Sequence, residues 1–329
     1  MHNKFHIAVD SGKSQTKAVF RDEGAIQKIK FPTRVEQVNE FGAELSPGSY
    51  LVEFEGKSYL IGSMLDESRS NFDLSKNTEQ HRLCIYLAIT RLLLKTKRSI
   101  AFADITLALN IPLLLYKNDS QKKAYHDFVR NNGESLGISV NGKAFVFRIT
   151  QLLLLPKGLG NVYTETEIND YRSKKAVMID VGSLNVNYLE FNNLVPNYSR
   201  MLTADLGTNI LRSKIADSLT TKYGTSVSDS DAERLFSDKY LIINGVKQEE
   251  SKEIIERIIQ DHVKEIFNYA KSRQLSTNNA SVVFVGGGSI LLRNFLLIEF
   301  AAAVFVADAQ FANVHSFLQI LETKYGQAS

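Results

Sequence analysis

The strongest constraint on this chain is a turn that it uses twice. In HIAVDSGKSQTKAVF (residues 6–20) an apolar strand runs into Asp10-Ser11-Gly12 and resumes as a strand, and VMIDVGSLNVNYLEF (residues 177–191) repeats that grammar with Asp180-Val181-Gly182. One Asp-x-Gly turn is ordinary hairpin punctuation. Two of them, 170 residues apart from Asp10 to Asp180 and one in each half, predict duplicated domains facing each other across a cleft. A third unit, ASVVFVGGGSILLRNFL, reads as a short β-branched strand, the turn Gly286-Gly287-Gly288-Ser289 and a helical pattern. Taken alone, three glycines are equally well explained by tight strand-to-helix packing. The ordered set of three is hard to obtain from generic turns.

The chain's 329 residues suffice for two domains at about 150 residues each. A composition of 44% hydrophobic and 23% charged residues fits a folded protein with a large core. Lys and Arg number 39 against 36 Asp and Glu, and they are dispersed, so nothing points to direct nucleic-acid binding. The scattered Tyr and Phe residues offer no stacking surface for single strands either. The one cysteine, Cys84, has no internal disulfide partner; it sits in an apolar helical pattern as a packing residue, which fits a reducing cytoplasm. The start, MHNKFHIAVD, lacks a basic region followed by an apolar run, so no export is expected. The stretch FLLIEFAAAVFVADA is interrupted by Glu299 and falls short of the ~20 apolar residues of a membrane helix. It is expected to be a core segment.

Strands dominate the beginning, at residues 5–10 and 15–21 and in a hairpin about Glu55-Gly56. Residues 78–97 place Leu83, Leu87, Leu93 and Leu94 near helical spacing, ITLALNIP reads as a buried strand stopped by Pro112, and a helix over 119–131 starts at Asp119 or Ser120. Asn141-Gly142 signals a hairpin, and ITQLLLLP is a strand ending at Pro156, where the chain crosses into its second half. There follow the 177–191 hairpin, a helix over 207–222, a polar segment, a hairpin signal at Asn244-Gly245, a helix over 248–273 and a closing helix in NVHSFLQILETKYG. The stripe Ile254, Ile255, Ile258, Ile259, Val263, Ile266 and Phe267 is a core face. The alternation predicts an α/β fold with mixed sheets.

The turns carry plausible chemistry for a phosphate chain. Glycine allows close backbone approach, amides and the hydroxyls of Ser14 and Ser183 can donate to phosphate oxygens, Lys17 adds a cation, and carboxylates can hold a hydrated Mg²⁺. His81, His126, His262 and His315 lie in helical patterns without metal-ligand spacing, and His2 and His6 are N-terminal; all read as solvated or core-edge residues.

With these motifs the chain resembles, over nearly its whole length, the actin-like ATPase superfamily, which also contains sugar kinases and the Hsp70 ATPase domain. Asp10, Gly12, Ser14 and Lys17 match its phosphate-1 loop, whose 11–17 turn, with Ser11 and Lys13, is implied to cradle the phosphates. Asp180, Gly182 and Ser183 match phosphate-2, whose turn 182–185 ends at Asn185, and Gly286, Gly287 and Gly288 match the turn beside the adenosine, which the resemblance has Gly286 to Ser289 and Lys214 flank. ADLGTNILRSKIADSL, with Gly207 and Thr208 opening a helix near the nucleotide, and FANVHSFLQIL resemble segments of the ParM-like bacterial actins that segregate plasmids. Gly207 and Thr208 also fit a bare helix start, and Asn313 a bare cap.

The resemblance implies an actin-like fold of two α/β domains around a nucleotide cleft: domain I over residues 1–155 plus 306–329 and domain II over 156–305. It implies ATP or GTP as nucleotide, Mg²⁺ held by Asp10 and Asp180, and catalysis by the same two carboxylates. It further implies a cytoplasmic, filament-forming hydrolase with no membrane contact, tied to a plasmid centromere by a ParR-like DNA-binding adaptor. Two residues depart from the pattern: Asn185 stands where a hydroxyl is common, and Lys157, in LLLLPKGLGNVY, stands where relatives place the Glu or Gln that orients the attacking water. A charged lysine stabilises phosphate but cannot accept a proton, while a solvated loop charge is the plainer reading of Lys157. The alternatives are a small-molecule kinase of the same superfamily, for which no catalytic base is evident, and a nucleotide-binding adaptor that does not polymerise.

Overall fold

The computed structural model describes residues 3–70, 76–98, 100–164 and 166–326; His2 lies outside them. The chain divides into two units, residues 1–157, 163–165 and 313–329 in the first and residues 158–162 and 166–312 in the second.

In the first unit β1 (Asn3–Ser11) pairs antiparallel with β2 (Gln15–Asp22), and β2 with β3 (Ala25–Pro32). Strands β4 (Val35–Val38), β5 (Ser49–Phe54) and β6 (Lys57–Gly62) add an antiparallel group, with Glu55 and Gly56 both at positive φ in the tight turn between β5 and β6. Helix α1 (Glu79–Leu93) follows, capped by the Thr78 hydroxyl, which accepts from the His81 amide at 3.3 Å. It is buried on nearly every side, as expected of a helix apolar all round. Then come β7 (Ala103–Ile111), α2 (Leu113–Tyr116), α3 (Asp119–Val129), β8 (Leu136–Val140) and β9 (Lys143–Pro156). The sheet order is β3-β2-β1-β7-β9-β8-β5-β6-β4, with β1, β7 and β9 parallel at its centre. Strand β7 is buried on both faces, the signature of a covered parallel strand. Tyr86 anchors the core: its ring meets the edges of Phe54 and Phe147, each at 5.7 Å, and its hydroxyl donates to the Val129 carbonyl at 2.9 Å.

The second unit contains α4 (Ile168–Tyr171), β10 (Lys175–Val181), β11 (Val186–Asn192), β12 (Val195–Pro196), β13 (Leu202–Ala204), α5 (Thr208–Tyr223), α6 (Asp229–Asp238), β14 (Leu241–Ile243), β15 (Val246–Gln248), α7 (Ser251–Ser272), β16 (Ser281–Val285), α8 (Gly287–Leu291), α9 (Arg293–Glu299) and β17 (Val304–Phe305). Its sheet runs β12-β11-β10-β16-β17, with β13 beside β11. The expected stripe of α7 enters the core through Ile254, Ile255, Ile259, Val263, Ile266 and Phe267. The last helix, α10 (Ala312–Tyr325), carries residues of the first unit again, and there Arg21 of β2 grips buried Glu322 of α10 at 3.1 Å.

The units repeat one motif. Each begins with an antiparallel hairpin whose first strand also pairs in parallel with a later strand: β1 with β2 and β7, β10 with β11 and β16. This is the mixed α/β organisation read from the sequence.

Four local expectations change. The α3 cap is Asn118, whose side chain accepts from the Gln121 amide at 3.1 Å, because a cap must sit one residue outside the first helical turn. Residues 143–156 form a single strand, since pairing with both β7 and β8 carries it through Thr150. The polar segment after residue 224 contains α6, opened by a capping box of Ser228 and Asp231. The stretch 295–309 is only half a core segment: Leu296 and Ala309 are buried, whereas Ile298 is 65% exposed and Val304 44% exposed. No helix among the described residues is long and apolar enough to cross a membrane.

Candidate functional site

The parallel strands β1, β7 and β9 bring their carboxyl ends to one edge of the first sheet, the edge at which open α/β sheets receive ligands. The last pairs, Val9 with Leu109 and Ile111 with Pro156, bring Asp10, Asn110 and, one residue past β9, Lys157 to the same edge. Residues 12–15 of the turn are partly accessible, as is Lys17, which pairs with Asp10 across the hairpin. Gly12 is required by close approach, because a Cβ there would lie 2.7 Å from the Gln15 carbonyl oxygen.

Ser11 points the other way. It is fully buried: its amide donates to Asn110 Oδ1 at 2.8 Å, its carbonyl accepts from Lys76 Nζ at 2.9 Å, and its hydroxyl lies 3.2 Å from His81 Nδ1. The other ring nitrogen of His81 is 2.8 Å from the Tyr125 hydroxyl. Ser11 thus anchors the loop from inside, while Gly12, Lys13, Ser14 and Lys17 form the accessible part. An Asn110→Ala chain is expected to lose about 1–3 kcal/mol in urea unfolding, because the buried Ser11 amide loses its acceptor, and to exchange that amide proton faster.

Asp10 is 7% exposed. Its carboxylate meets Lys157 Nζ at 3.1 Å, and the same ammonium nitrogen would sit 3.6 Å from a Cβ on Gly12. Lys157 is therefore not a solvated loop charge. Burial pushes the Asp10 carboxyl up, but Lys157, Lys17 and Lys76 together pull harder, and its pKa falls below the ordinary value. Burial, then the ammonium of Lys157, drives Lys76 well below the usual lysine range.

In the second unit Asp180 is the penultimate residue of β10, and the turn 182–185 is partly accessible. Helix α5 docks on this turn. The Gly207, Thr208 and Asn209 amides donate to the Leu184, Gly182 and Ser183 carbonyls at 2.9, 3.1 and 2.8 Å, so Gly207 and Thr208 fasten the helix start to the loop. A Cβ on Gly207 would lie 2.2 Å from the Ser183 carbonyl oxygen. Gly286 brings in the third segment: its φ is 88°, and a Cβ there would be 2.4 Å from Asp180 Oδ1. Gly288 is packed as tightly, its Cβ position lying 2.6 Å from Val181 Cγ1 and 2.9 Å from Thr208 Cγ2. Gly287 stays partly accessible, and buried Ser289 donates to the Gly286 carbonyl at 2.8 Å.

Asp180, Gly182, Ser183, Gly207, Thr208 and Gly286–Gly288 thus form one cluster. Asn185 is turned outward and donates to Asp205 Oδ1 at 2.5 Å. Lys214 pairs with Glu265 of α7 at 2.7 Å, along a groove of about 880 Å³ that Lys222 and Arg257 also line.

Mg²⁺, expected at both aspartates, meets two different settings. Among the described residues no group of three or more His, Cys, Asp or Glu side chains converges. Asp10 already carries an ammonium and does not suit a second cation. Asp180, a single carboxylate beside a backbone turn, suits a hydrated Mg²⁺ that takes its other ligands from phosphate and water.

Three residues of the first loop's support escaped the sequence. Asn110 left a trace as a polar side chain near the end of an apolar strand, Lys76 left none, and His81 looked like an edge histidine but is buried. His262 is also buried, its Nε2 lying 3.1 Å from the Leu206 carbonyl. Burial, reinforced by Lys76 at His81 and by Lys214 at His262, lowers both pKa values below 6.5. In the unfolded chain these histidines take up protons as pH falls through about 6.5, while the folded chain resists. Stability is therefore expected to fall below pH 6.5 by up to about 1.4 kcal/mol per pH unit for each histidine. Urea midpoints at pH 7.5 and 5.5 check this, and His262→Asn should flatten the difference.

Two family models match the chain: actin-like proteins, N-terminal domain, over residues 8–160, and archaeal actin homologue MreB-like, C-terminal, over residues 178–297. No curated protein matches. Among solved structures, a 15-stranded ParM filament from Clostridium botulinum superposes with a TM-score of 0.76 at 19% identity, covering 98% of this chain and 99% of that one. The Alp12 filament gives 0.72 at 23% identity, with 98% and 99% coverage. Ta0583, an archaeal actin homologue in complex with ADP, gives 0.73 at 20% identity, with 97% and 99% coverage. The two consecutive family matches, which together span most of the chain, make it a member of the actin-like proteins, and the solved structures share its fold.

Proposed function

We propose that this chain is a nucleotide hydrolase that assembles into filaments. The observation that carries this reading is the pair of equivalent Asp-x-Gly turns, each at the carboxyl end of a parallel strand and each offering partly accessible amides and hydroxyls to an anion. ATP or GTP supplies such an anion. In the first unit Gly12, Lys13, Ser14 and Lys17 offer donors to phosphate; in the second Gly182 and Ser183 do so, with Gly287 on the nucleoside side of that cluster. Mg²⁺, when bound beside Asp180, neutralises phosphate charge. The Asp180 carboxylate orients the attacking water, a role that Lys157 cannot take while charged.

Nucleotide binding favours a conformation that joins head to tail with further copies, and hydrolysis weakens those contacts. Filament structures among the similar proteins support self-assembly. The cargo in this reading is plasmid DNA in the cytoplasm, attached through a ParR-like adaptor, which removes any need for a basic DNA-binding face on this chain. Light scattering, sedimentation and phosphate release with Mg-ATP, Mg-GTP or no nucleotide test the reading. Assembly only with nucleotide, followed by decay as phosphate appears, is the expected result. Tight binding without assembly at any concentration would replace it with a kinase or a non-polymerising adaptor.

A further inference from the structure

We infer that Lys157 is a built-in counter-cation for the first loop, occupying the place at Asp10 that a divalent metal would need, so that nucleotide binding is largely independent of Mg²⁺. The inference rests on the nucleotide-binding reading above and concerns which cation serves the phosphates.

Three observations converge. The Lys157 ammonium lies 3.1 Å from the Asp10 carboxylate, a direct ion pair at a residue that is itself 7% exposed. The same nitrogen reaches over Gly12, where a Cβ would be 3.6 Å away, so it stands at the mouth of the turn. Its side chain is 27% exposed, which leaves it open to an arriving anion. The position follows from the fold: β9 ends at Pro156, opposite Ile111 of β7, and β7 lies beside β1 in parallel register. Lys157, the first residue past that strand end, projects onto the next-but-one loop. Gly158, at φ 91°, turns the chain away directly afterwards.

Electrostatics then decides between cations. A carboxylate already neutralised by an ammonium gains little from Mg²⁺, and Mg²⁺ placed beside Asp10 would stand within a few ångströms of a like charge. Mg²⁺ also gives up its water shell reluctantly. An ammonium fixed by the strand register needs no dehydration of that kind and can share its protons between the carboxylate and a phosphate oxygen. Asp180 keeps its own setting and can still assist hydrolysis with metal; the inference concerns binding at the first loop.

The test is titration of a fluorescent ADP analogue into the full chain, in 5 mM (about) Mg²⁺ and in excess EDTA, with Lys157→Gln and Lys157→Arg beside the parent. For the parent, affinities within about threefold across the two conditions are expected. Lys157→Gln should bind about tenfold or more weakly in EDTA and recover with Mg²⁺, whereas Lys157→Arg, which keeps the charge, should stay nearly metal-independent. A parent chain that loses tenfold or more in EDTA would overturn the inference while leaving the nucleotide reading intact. Equal metal dependence of Lys157→Gln and parent would overturn it too. Binding in neither condition would sink the nucleotide reading and the inference with it. Thermal melts of both variants establish that they fold.

Discussion

Replacing Gly286 with alanine is expected to unfold the second unit at lower urea concentration, with a loss of about 2–6 kcal/mol. Two costs add. At φ 88° an L-residue is strained by about 1–3 kcal/mol. The new methyl would lie 2.4 Å from both Asp180 Oδ1 and the Val181 carbonyl oxygen, and relieving such a clash by backbone movement costs about 1–3 kcal/mol more. Whatever fraction stays folded must displace the Asp180 carboxylate, so nucleotide turnover should fall further than stability alone explains. The neighbouring Gly287→Ala is the control: the nearest atoms to its Cβ position are on the Gln310 side chain at 3.9 Å, and its stability should change by less than about 0.5 kcal/mol. If both alanines behaved alike, the close approach at Gly286 would carry no weight.

Asp180→Asn is expected to have the largest effect on turnover. The amide keeps the shape of the carboxylate against Gly286 but removes the charge and the second acceptor, so it can neither orient water as a base nor assist a metal. Losing one positioned acid–base group costs about 10²–10⁴-fold in rate. Phosphate release should drop by that factor, while filament mass formed with nucleotide should persist for correspondingly longer. Phosphate release at the parent rate in this variant would move the water-orienting role to another residue.

These two residues were legible before any coordinates because each sits in a local pattern, a strand followed by Asp-x-Gly or by a glycine run. The same holds for the hairpins at Glu55-Gly56, Asn141-Gly142 and Asn244-Gly245, where each residue of the pair adopts positive φ. Local patterns also gave α1, α7 and the paired halves. What supports the first loop was not local. Asn110 reaches Ser11 across 99 residues and Lys76 across 65, and such pairings arise only when strands and helices are placed beside one another. Lys157 was noticed for the wrong surroundings: its segment invited comparison with a water-orienting position, but only the register of β1, β7 and β9 shows Asp10 beneath its ammonium. The exposed side of residues 295–309 was hidden for a different reason, since an apolar run broken by only Glu299 and Asp308 carries no period to show which face is covered.

The grip of Arg21 on Glu322 has a consequence for how the protein is made. These partners lie 301 residues apart, and the first unit is completed by α10, which the ribosome delivers only after the whole second unit. A nascent chain therefore has the whole of its second unit before the first unit receives its last helix. The first unit is thus completed after the second, a departure from the usual order in which an N-terminal domain is complete first. For most of its synthesis, the half that bears the first loop has all nine strands of its sheet but not the helix that Arg21 holds through Glu322.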